Sequence, residues 1–211
     1  MYNNIKNKYS LIQKIKLAYY LIRTKLLYPK ARLIRSHFDL RGGEFVELGN
    51  SITIGQYCRI EAFSTCDNKS KKILFGSNVQ INDFVHISAI ENVVIEDNVL
   101  IAGNVYISDN SHGSYKGDRN DSDPAIKPID RPYFTRPVRI GANSWVGEGV
   151  IILPGANIGK GCVIGAHTIV TEASYPDFSI IVGSPARVIK RYNHQIKCWR
   201  RVDKDGNFIE N

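Results

Sequence analysis

Residues 136–171 read RPVRIGANSWVGEGVIILPGANIGKGCVIGAHTIVT. An aliphatic residue recurs at every sixth position of this stretch, at Ile140, Val146, Ile152, Ile158, Ile164 and Val170. A period of six fits neither the 3.6-residue turn of an amphipathic helix nor the alternation of an isolated strand. Because so short a unit cannot bury its own apolar side chain, it must stack on its neighbours. The stretch therefore predicts a chain that turns a corner every six residues and winds into a three-sided prism.

The same period extends toward the N-terminus. The upstream positions are Leu48, Ile54, Ile60, Phe75, Ile81, Ile87, Ile95, Ile101 and Ile107. With three positions in each coil, these positions and the six positions of residues 136–171 predict five coils. Stacked coils satisfy one another's backbone groups as a parallel ladder does, so we expect a mainly β protein, a parallel β-helix. The alternative is a β-sandwich, whose strands would be separated by turn signals every 8–12 residues or so. The spacing does not decide the hand of the coil.

Several segments carry a more specific resemblance. They are FGSNVQINDFVHI (75–87), IEDNVLIAGNVYISDNSHGSY (95–115), the quoted stretch 136–171 and VGSPARVIKR (182–191). Over roughly residues 45–195 the chain resembles the hexapeptide-repeat acyltransferases, most closely the branch with galactoside acetyltransferase and the O-acetyltransferases of capsule, lipopolysaccharide and polysialic acid. The resemblance implies a left-handed β-helix, acetyl-CoA as cosubstrate, and a homotrimer with active sites between the prisms.

The organisation predicted from the sequence has three parts. Residues 1–44 form a lead-in, residues 45–175 form the β-helix with an inserted, protruding loop at 113–138, and residues 176–211 form a C-terminal extension. The spacing of apolar residues predicts a helix over 9–27, either packed on the first coil or resting as a basic amphipathic helix on an anionic membrane surface. We expect a second, short helix within 188–199.

The amino-acid composition limits the classes of molecule that the protein is expected to bind. The net charge of +8 favours anionic partners such as phosphate-bearing cofactors or acidic glycans. Nucleic acid is not expected, because no nucleic-acid-binding motif accompanies the basic residues. The four cysteines lack CxxC spacing and are expected to be reduced thiols of a cytoplasmic protein. No signal peptide or membrane span is credible, so any membrane contact would be peripheral, at the inner face.

The proposed catalytic residue is His112. The repeat stops after Ile107 and resumes at Ile140, and the intervening segment contains four prolines. A loop of this length inside a compact domain is usually functional or disordered. His112 lies at its start, where the pattern points a side chain outward, and imidazole suits general-base work near neutral pH. The catalytic histidine of the resembling family lies at this point of the pattern.

Further site residues come from the resemblance. Asn82 corresponds to an acceptor contact, and Trp145 to a tryptophan that would stack on a sugar or hold the pantetheine arm. His86 also points outward and is either a sugar contact or a structural histidine. Asp109 is either a carboxylate that orients the His112 ring or a simple turn residue. Ala89 stands where the comparison expects an acceptor-binding carboxylate, which argues against a galactoside.

The resemblance also places the acetyl donor. Ala166 and Thr171 would line the pantetheine groove, and Arg187 and Lys190 would meet the phosphates through charge-assisted hydrogen bonds. The family's lysine after the threonine is Glu172 here, so one phosphate contact is expected to be absent or supplied from elsewhere.

The sequence favours an O-acetyltransferase that acts on a sugar hydroxyl of a bacterial surface glycan. A small acceptor such as serine, a galactoside or a xenobiotic is the first alternative. A metal enzyme like the γ-type carbonic anhydrases needs three converging histidines. His86 and His112 would supply two, but the family's close pair is missing and His167 lies several units away, so no metal is expected. A non-catalytic scaffold is the remaining alternative.

Overall fold

A computed structural model describes residues 8–64 and 70–209 of the protein. The chain forms a three-sided prism, and each side is a sheet in which the strands of successive coils run parallel. The first sheet contains strands Leu33–Ile34, Thr53–Ile54, Gln80–Ile81, Leu100–Ile101, Trp145–Val146, Val163–Ile164 and Ser179–Gly183. The second contains Asp39–Arg41, Arg59–Ala62, His86–Ala89, Tyr106–Ser108, Ile151–Ile152 and Ile169–Val170. The third contains Val46–Glu47, Ile73–Phe75, Val93–Ile95, Val138–Ile140, Ala156–Ile158 and Ala173–Tyr175. Consecutive strands of the coil pass from one sheet to the next.

The residues of the six-residue period stack as columns along the prism axis. On the first face one column runs through Ile54, Ile81, Ile101 and Val146, and each of these residues pairs with the next in parallel register. These side chains are at most 1% exposed. Complete burial of such a side chain stabilises the fold by about 1.5–3 kcal/mol. Since each coil covers only its neighbours, the columns make the stack cooperative.

The corners of the prism share one backbone conformation. At many corners the residue three places after a column residue has a positive φ, as at Asn78 (59°), Asn98 (59°), Asn143 (60°) and Gly149 (65°). Asparagine and glycine tolerate this left-handed conformation better than other residues do. The three asparagines also form a ladder, since Asn78 and Asn98 each donate a side-chain hydrogen bond of 3.2 Å to the next asparagine.

The prediction of a parallel β-helix is confirmed, and the prism is longer than the sequence indicated. The second and third sheets have six strands each, against the five coils predicted. Strands Leu33–Ile34 and Asp39–Arg41 pair with the next coil, and Ser179–Gly183 pairs with Val163–Ile164. The sheets therefore extend beyond the predicted limits of 45–175 at both ends.

The N-terminal helix is confirmed as Leu11–Leu27. It begins at a capping box, in which Ser10 and Gln13 satisfy each other's backbone N–H groups. Thr24 ties it to the first coil, because its hydroxyl accepts a 2.8 Å hydrogen bond from the Ile34 N–H. Short 3-10 helices lie at Gly43–Phe45 and Pro128–Asp130. None of the helices in the described residues is long and apolar enough to cross a bilayer.

The predicted C-terminal helix is wrong. Residues Ala186–Asn193 and Cys198–Arg201 are strands of an antiparallel hairpin, and the first of them also pairs with Ser179–Gly183. Without the hairpin, the last strand of the coil would be an edge strand with unpaired backbone groups, and such an edge is a template for another strand. This tertiary pairing overrides the local sequence preference and adds two strands to the first sheet.

The cysteines agree with a reduced protein in the part of the chain that is described. Cys58, Cys162 and Cys198 are free thiols, and Cys66 lies outside the described residues. Cys58 and Cys162 fill the small position beneath two corners. Burial raises the pKa of both of these thiols, which keeps them protonated and unreactive.

Candidate functional site

His112 is presented by a hairpin at the neck of the long loop. Strands Asn110–His112 and Tyr133–Thr135 pair in antiparallel register, with His112 opposite Tyr133. The two rings lie 4.7 Å apart between centroids. Antiparallel pairing fixes the backbone of both residues, so the imidazole is held at the base of the loop and does not move with its tip.

The imidazole of His112 is exposed, and its nitrogens are available for chemistry. Within residues 8–64 and 70–209 these nitrogens have no hydrogen-bond partner. The backbone carbonyl of His112, in contrast, accepts a hydrogen bond from the Tyr115 hydroxyl. A ring that is fixed through its backbone but free at its nitrogens can accept a proton from a bound hydroxyl group.

Arg131 organises the loop around this histidine. Its guanidinium donates to the Tyr115 hydroxyl at 2.7 Å, to the Ile126 carbonyl at 2.9 Å and to the Pro124 carbonyl at 3.1 Å. Tyr115 in turn donates to His112, so one residue links three turns of the loop to the candidate base. The loop is thus a folded unit held by side-chain hydrogen bonds.

Asp109 does not orient the His112 ring. Its carboxylate is 0% exposed and accepts hydrogen bonds of 2.7–3.2 Å from the backbone N–H groups of Ile90, Glu91 and Asn92. No hydrogen bond joins it to His112 among the described residues. Three backbone donors converge on the carboxylate because the chain turns there, so Asp109 anchors the strand that carries His112.

A cleft of about 720 Å³ lies between the second sheet and the loop. His112, Tyr133 and Lys116 line it from the loop side, and His86 lines it from the sheet. Thr171 also lines it. The structure thus brings together three of the predicted site residues, His112, His86 and Thr171, in one cavity of a single chain.

His86 is engaged in a hydrogen-bonded network at the floor of this cleft. Its Nε2 lies 2.8 Å from Oε1 of Glu61, a residue that is 8% exposed, and its Nδ1 lies 3.2 Å from the guanidinium of Arg59. Arg59 can only donate, so Nδ1 accepts and the proton of the neutral ring is on Nε2. Both nitrogens of His86 are therefore occupied. Contact with an acceptor would involve the ring face, and His112 remains the available base.

The two other predicted acceptor residues, Asn82 and Trp145, and the predicted cofactor residue Ala166 lie away from this cleft. Asn82 is exposed in a separate cavity of about 390 Å³ along the first sheet, lined also by Phe84 and Glu148. Trp145 is on the same sheet and is 51% exposed. Ala166 follows the next strand of that sheet and is exposed too. None of the three lines the His112 cleft.

A second, larger groove of about 1050 Å³ separates the last coil from the C-terminal hairpin. It is lined by Arg187 and Lys190, the two residues expected to meet the phosphates of the donor, and by Arg191. The Nε of Arg191 is buried and has no hydrogen-bond partner in the described part of the chain. The three cations along this groove suit an elongated anionic molecule such as acetyl-CoA.

The two cavities meet at Thr171 and Glu172, which line both. Glu172 is paired with the loop, since its carboxylate lies 2.8 Å from the ammonium of Lys116 and 3.8 Å from the guanidinium of Arg136. The hydrogen bond from Lys116 lowers the pKa of Glu172. The resembling family has a lysine after the threonine, whereas this chain has Glu172 there. Lys116 of the loop pairs with Glu172 and so places a cation next to this position.

Sequence reasoning missed Glu61, Arg59, Tyr115, Arg131 and Lys116. The sequence did contain a signal for Arg59. Arg59 and His86 directly precede Ile60 and Ile87, which stack in neighbouring coils, so the repeat places Arg59 beside His86. The loop residues offered no signal, since their contacts depend on turns without a repeat. Among the described residues, no cluster of three or more His, Cys, Asp or Glu side chains is arranged to hold a metal ion.

Comparison with known proteins supports the fold and the class. The family model "Bacterial transferase hexapeptide (six repeats)" matches residues 137–172. The protein of Escherichia coli (strain K12) named "Putative lipopolysaccharide biosynthesis O-acetyl transferase WbbJ" is 38% identical over 198 residues. That alignment covers 94% of this chain and 98% of the relative, so the similarity spans nearly the whole of both chains.

Two solved structures have the same fold. The N-acyltransferase AntD from Bacillus cereus, in complex with dTDP and 3-hydroxybutyryl-CoA, has a TM-score of 0.60 at 22% identity, over 79% of this chain and 82% of that one. A hexapeptide-repeat-containing acetyltransferase from Vibrio cholerae O1 biovar eltor, complexed with acetyl coenzyme A, has a TM-score of 0.54 at 23% identity, over 69% and 70%. With the family match they confirm the predicted class of fold, a left-handed parallel β-helix.

Proposed function

Because the chain belongs to the bacterial hexapeptide-repeat transferases, as an acetyltransferase that uses acetyl-CoA, we propose that it acetylates a sugar hydroxyl of a bacterial surface glycan such as a capsule or an O-antigen. The name of the E. coli relative supports this class of acceptor, since it combines O-acetyl transfer with lipopolysaccharide biosynthesis. The proposed location is the cytoplasm, where acetyl-CoA is available.

One observation carries the proposal. The free ring of His112 faces a cleft that joins a basic groove at Thr171 and Glu172. A donor with its phosphates near Arg187 and Lys190 would extend its thioester past Thr171 toward the histidine. An acceptor in the cleft would then lie between the base and the thioester, which is the arrangement that direct transfer needs.

The proposed reaction has a single chemical exchange. His112 accepts the proton of the acceptor hydroxyl as its oxygen attacks the thioester carbonyl, and the carbon–sulfur bond then breaks. The imidazolium returns the proton to the departing thiolate, so the products are an acetyl ester and free CoA. General-base assistance contributes about 10²–10⁴ in rate. Positioning of the two substrates in the cleft must supply much of the remainder.

We further propose that the complete site forms between copies of the chain in a homotrimer. His112 lies at the second sheet, whereas Asn82, Trp145 and Ala166 lie along the first. A neighbouring copy could present its first sheet to the His112 cleft. Asn82 and Trp145 would then contact the acceptor, and Ala166 the pantetheine arm, across the interface.

Mixing two inactive variants tests the shared site. Chains with Asn82→Ala and chains with His112→Ala would be inactive alone and would regain activity after mixing, because some interfaces would pair an intact histidine with an intact asparagine. Light scattering would report the assembly of each sample. A fully active monomer, or no recovery in verified mixed trimers, would exclude an interface site.

The acceptor is tested by a screen with labelled acetyl-CoA. Purified glycan repeat units, polymers, nucleotide sugars and small hydroxylated molecules such as serine would be compared by label transfer and thiol release. Transfer to a sugar hydroxyl of a surface glycan is expected. Transfer to the small molecules alone would replace this acceptor class by the alternative one.

A further inference from the structure

The N-terminal helix Leu11–Leu27 contacts the prism with only one side. Thr24 is 0% exposed and bonds to Ile34 of the first coil, and Leu17 and Tyr20 on the same side are partly buried. Residues 11–16 are all exposed, so the first half of the helix lies free of the prism. The side away from the prism is therefore a surface that the chain itself does not cover.

That uncovered side is strongly apolar. Each of six large side chains is at least 60% exposed, and they are Leu11, Ile12, Ile15, Tyr19, Ile22 and Leu26. At about 100° per residue they fall within a single arc of roughly 100° along the helix. Large contiguous apolar surfaces of this kind mark sites of interaction with proteins or membranes. We call these six residues the apolar stripe.

Basic residues border the apolar stripe on both edges. Lys14 and Lys25 lie on one edge, and Lys16 and Arg23 lie on the other. The helix contains no acidic residue, and the first acidic residue of the whole sequence is Asp39. Lys14 and Lys16 are exposed, whereas the Lys25 ammonium donates to the Ala31 carbonyl at 2.7 Å and one guanidinium nitrogen of Arg23 is buried. Long basic side chains such as those of Lys14 and Lys16 can bury their stems along an apolar surface while their charges reach outward. The arrangement matches a helix that lies flat in the plane of a membrane interface.

We propose that the apolar stripe binds the surface of an anionic bilayer, with Lys14 and Lys16, one on each edge, at the lipid phosphates. Charge complementarity selects this occupant. A second copy of the helix would bring two rows of cations together with no acid in either helix to pair them. Anionic headgroups supply the opposite charge along both edges, and the acyl boundary covers the stripe. Membrane binding by the apolar stripe does not depend on which acceptor the protein acetylates.

The test is flotation of the full-length protein with vesicles. Vesicles of phosphatidylcholine alone are compared with vesicles that also contain phosphatidylglycerol, at low and high salt. Ile15→Gln with Ile22→Gln removes two central residues of the stripe, and Lys14→Glu with Lys16→Glu reverses one charge on each edge. Ile196→Gln and Lys197→Glu, both at exposed positions of the C-terminal hairpin, are the matched controls.

The wild type is expected to float with the anionic vesicles, and high salt is expected to release it. Each lost cation should weaken binding about fivefold, since a basic residue near an anionic surface contributes roughly 1 kcal/mol. Both helix variants should lose binding while acetylation of a soluble acceptor and the size of the assembly stay unchanged. Equal binding by the stripe variants and the controls would overturn the proposal. A smaller assembly in the stripe variants, with no wild-type binding to vesicles, would assign the stripe to a second copy.

Discussion

The ammonium of Lys116 lies 2.8 Å from the carboxylate of Glu172 and so joins the long loop to the last coil. Lys116 also lies over the ring of Phe134, 4.7 Å from its centroid. The contact sits where the His112 cleft meets the basic groove, the point at which a thioester would pass. The position of the loop over the donor therefore depends on an ion pair that the sequence alone did not reveal.

Removing this ion pair should change the pKa of Glu172 and loosen the loop. Lys116 is the main cause of the lowered pKa, so Lys116→Met should raise the pKa of Glu172 toward that of ordinary glutamate. Titration of the side-chain carboxyl by NMR measures this. Lys160→Met, whose ammonium lies 3.9 Å from Asp177, is the control and should leave Glu172 unchanged.

The sign of the pH dependence follows from the same contact. A carboxyl group whose pKa is lowered by folding stabilises the folded form above its ordinary pKa and loses that contribution as pH falls through the lowered value. The wild-type loop should therefore resist protease at neutral pH and become more susceptible in acid, below the usual glutamate range. Lys116→Met should be susceptible already at neutral pH. Equal cleavage rates of both proteins at neutral pH would contradict the role of the pair.

The network around His86 predicts a loss of stability when its acid is removed. Glu61→Leu leaves the Nε2 proton of the partly buried His86 without its acceptor and removes the 3.7 Å ion pair between Glu61 and Arg59. Unsatisfied buried groups of this kind cost about 1–3 kcal/mol in the free energy of unfolding. Denaturant unfolding measures the change. Glu47→Leu, at an exposed position of a neighbouring face, should stay within about 0.5 kcal/mol of wild type.

Asp109 should behave as a structural anchor of the strand that carries His112. Asp109→Ala removes the acceptor of three backbone N–H groups and should lower the free energy of unfolding by about 3 kcal/mol. The exposed Asp118 caps a single turn of the loop, so Asp118→Ala should have a small effect. If Asp109→Ala unfolds like the wild type, the carboxylate has no anchoring role.

The column residues should dominate the stability of the prism. Ile101 is 0% exposed, whereas its neighbour Leu100 in the same strand is 38% exposed. Ile101→Ala is expected to cost about 2–5 kcal/mol because it leaves a cavity that the stacked coils cannot close. Leu100→Ala should cost much less. Similar losses for the two variants, measured by urea unfolding, would contradict the inward columns.

The sequence predicted those parts of the molecule that repeat. Column positions such as Ile54, Ile81 and Ile101 fixed the β-helix, because each unit faces the same environment in every coil. The first coil was missed although Ile34 and Leu40 keep the six-residue spacing and pair with Ile54 and Ile60, because the chain runs eight residues from Leu40 to Leu48 and so breaks the period. The C-terminal hairpin was missed because an edge strand of the sheet, and not its own periodicity, determines its structure.

The position of a predicted site residue in the fold could be read from the sequence where that residue belongs to the repeat. His112 was placed correctly at the start of the loop, since it continues the pattern of the Ile107 unit. The role suggested for Asp109 failed because its partners at residues 90–92 lie at a turn of the previous coil, far away in sequence. Contacts within the loop, such as Arg131 with Tyr115, arise from irregular turns that no spacing encodes.

The most direct measurement is the turnover of acetyl-CoA by His112→Ala beside His194→Ala, an exposed histidine of the C-terminal hairpin. With a responsive sugar acceptor, kcat of His112→Ala should fall about 10²–10⁴-fold while the Kd for CoA and the size of the assembly stay at wild-type values. His194→Ala should keep wild-type turnover. If His112→Ala, correctly folded, transfers acetyl groups at the wild-type rate, His112 is not the base and the proposed mechanism is wrong.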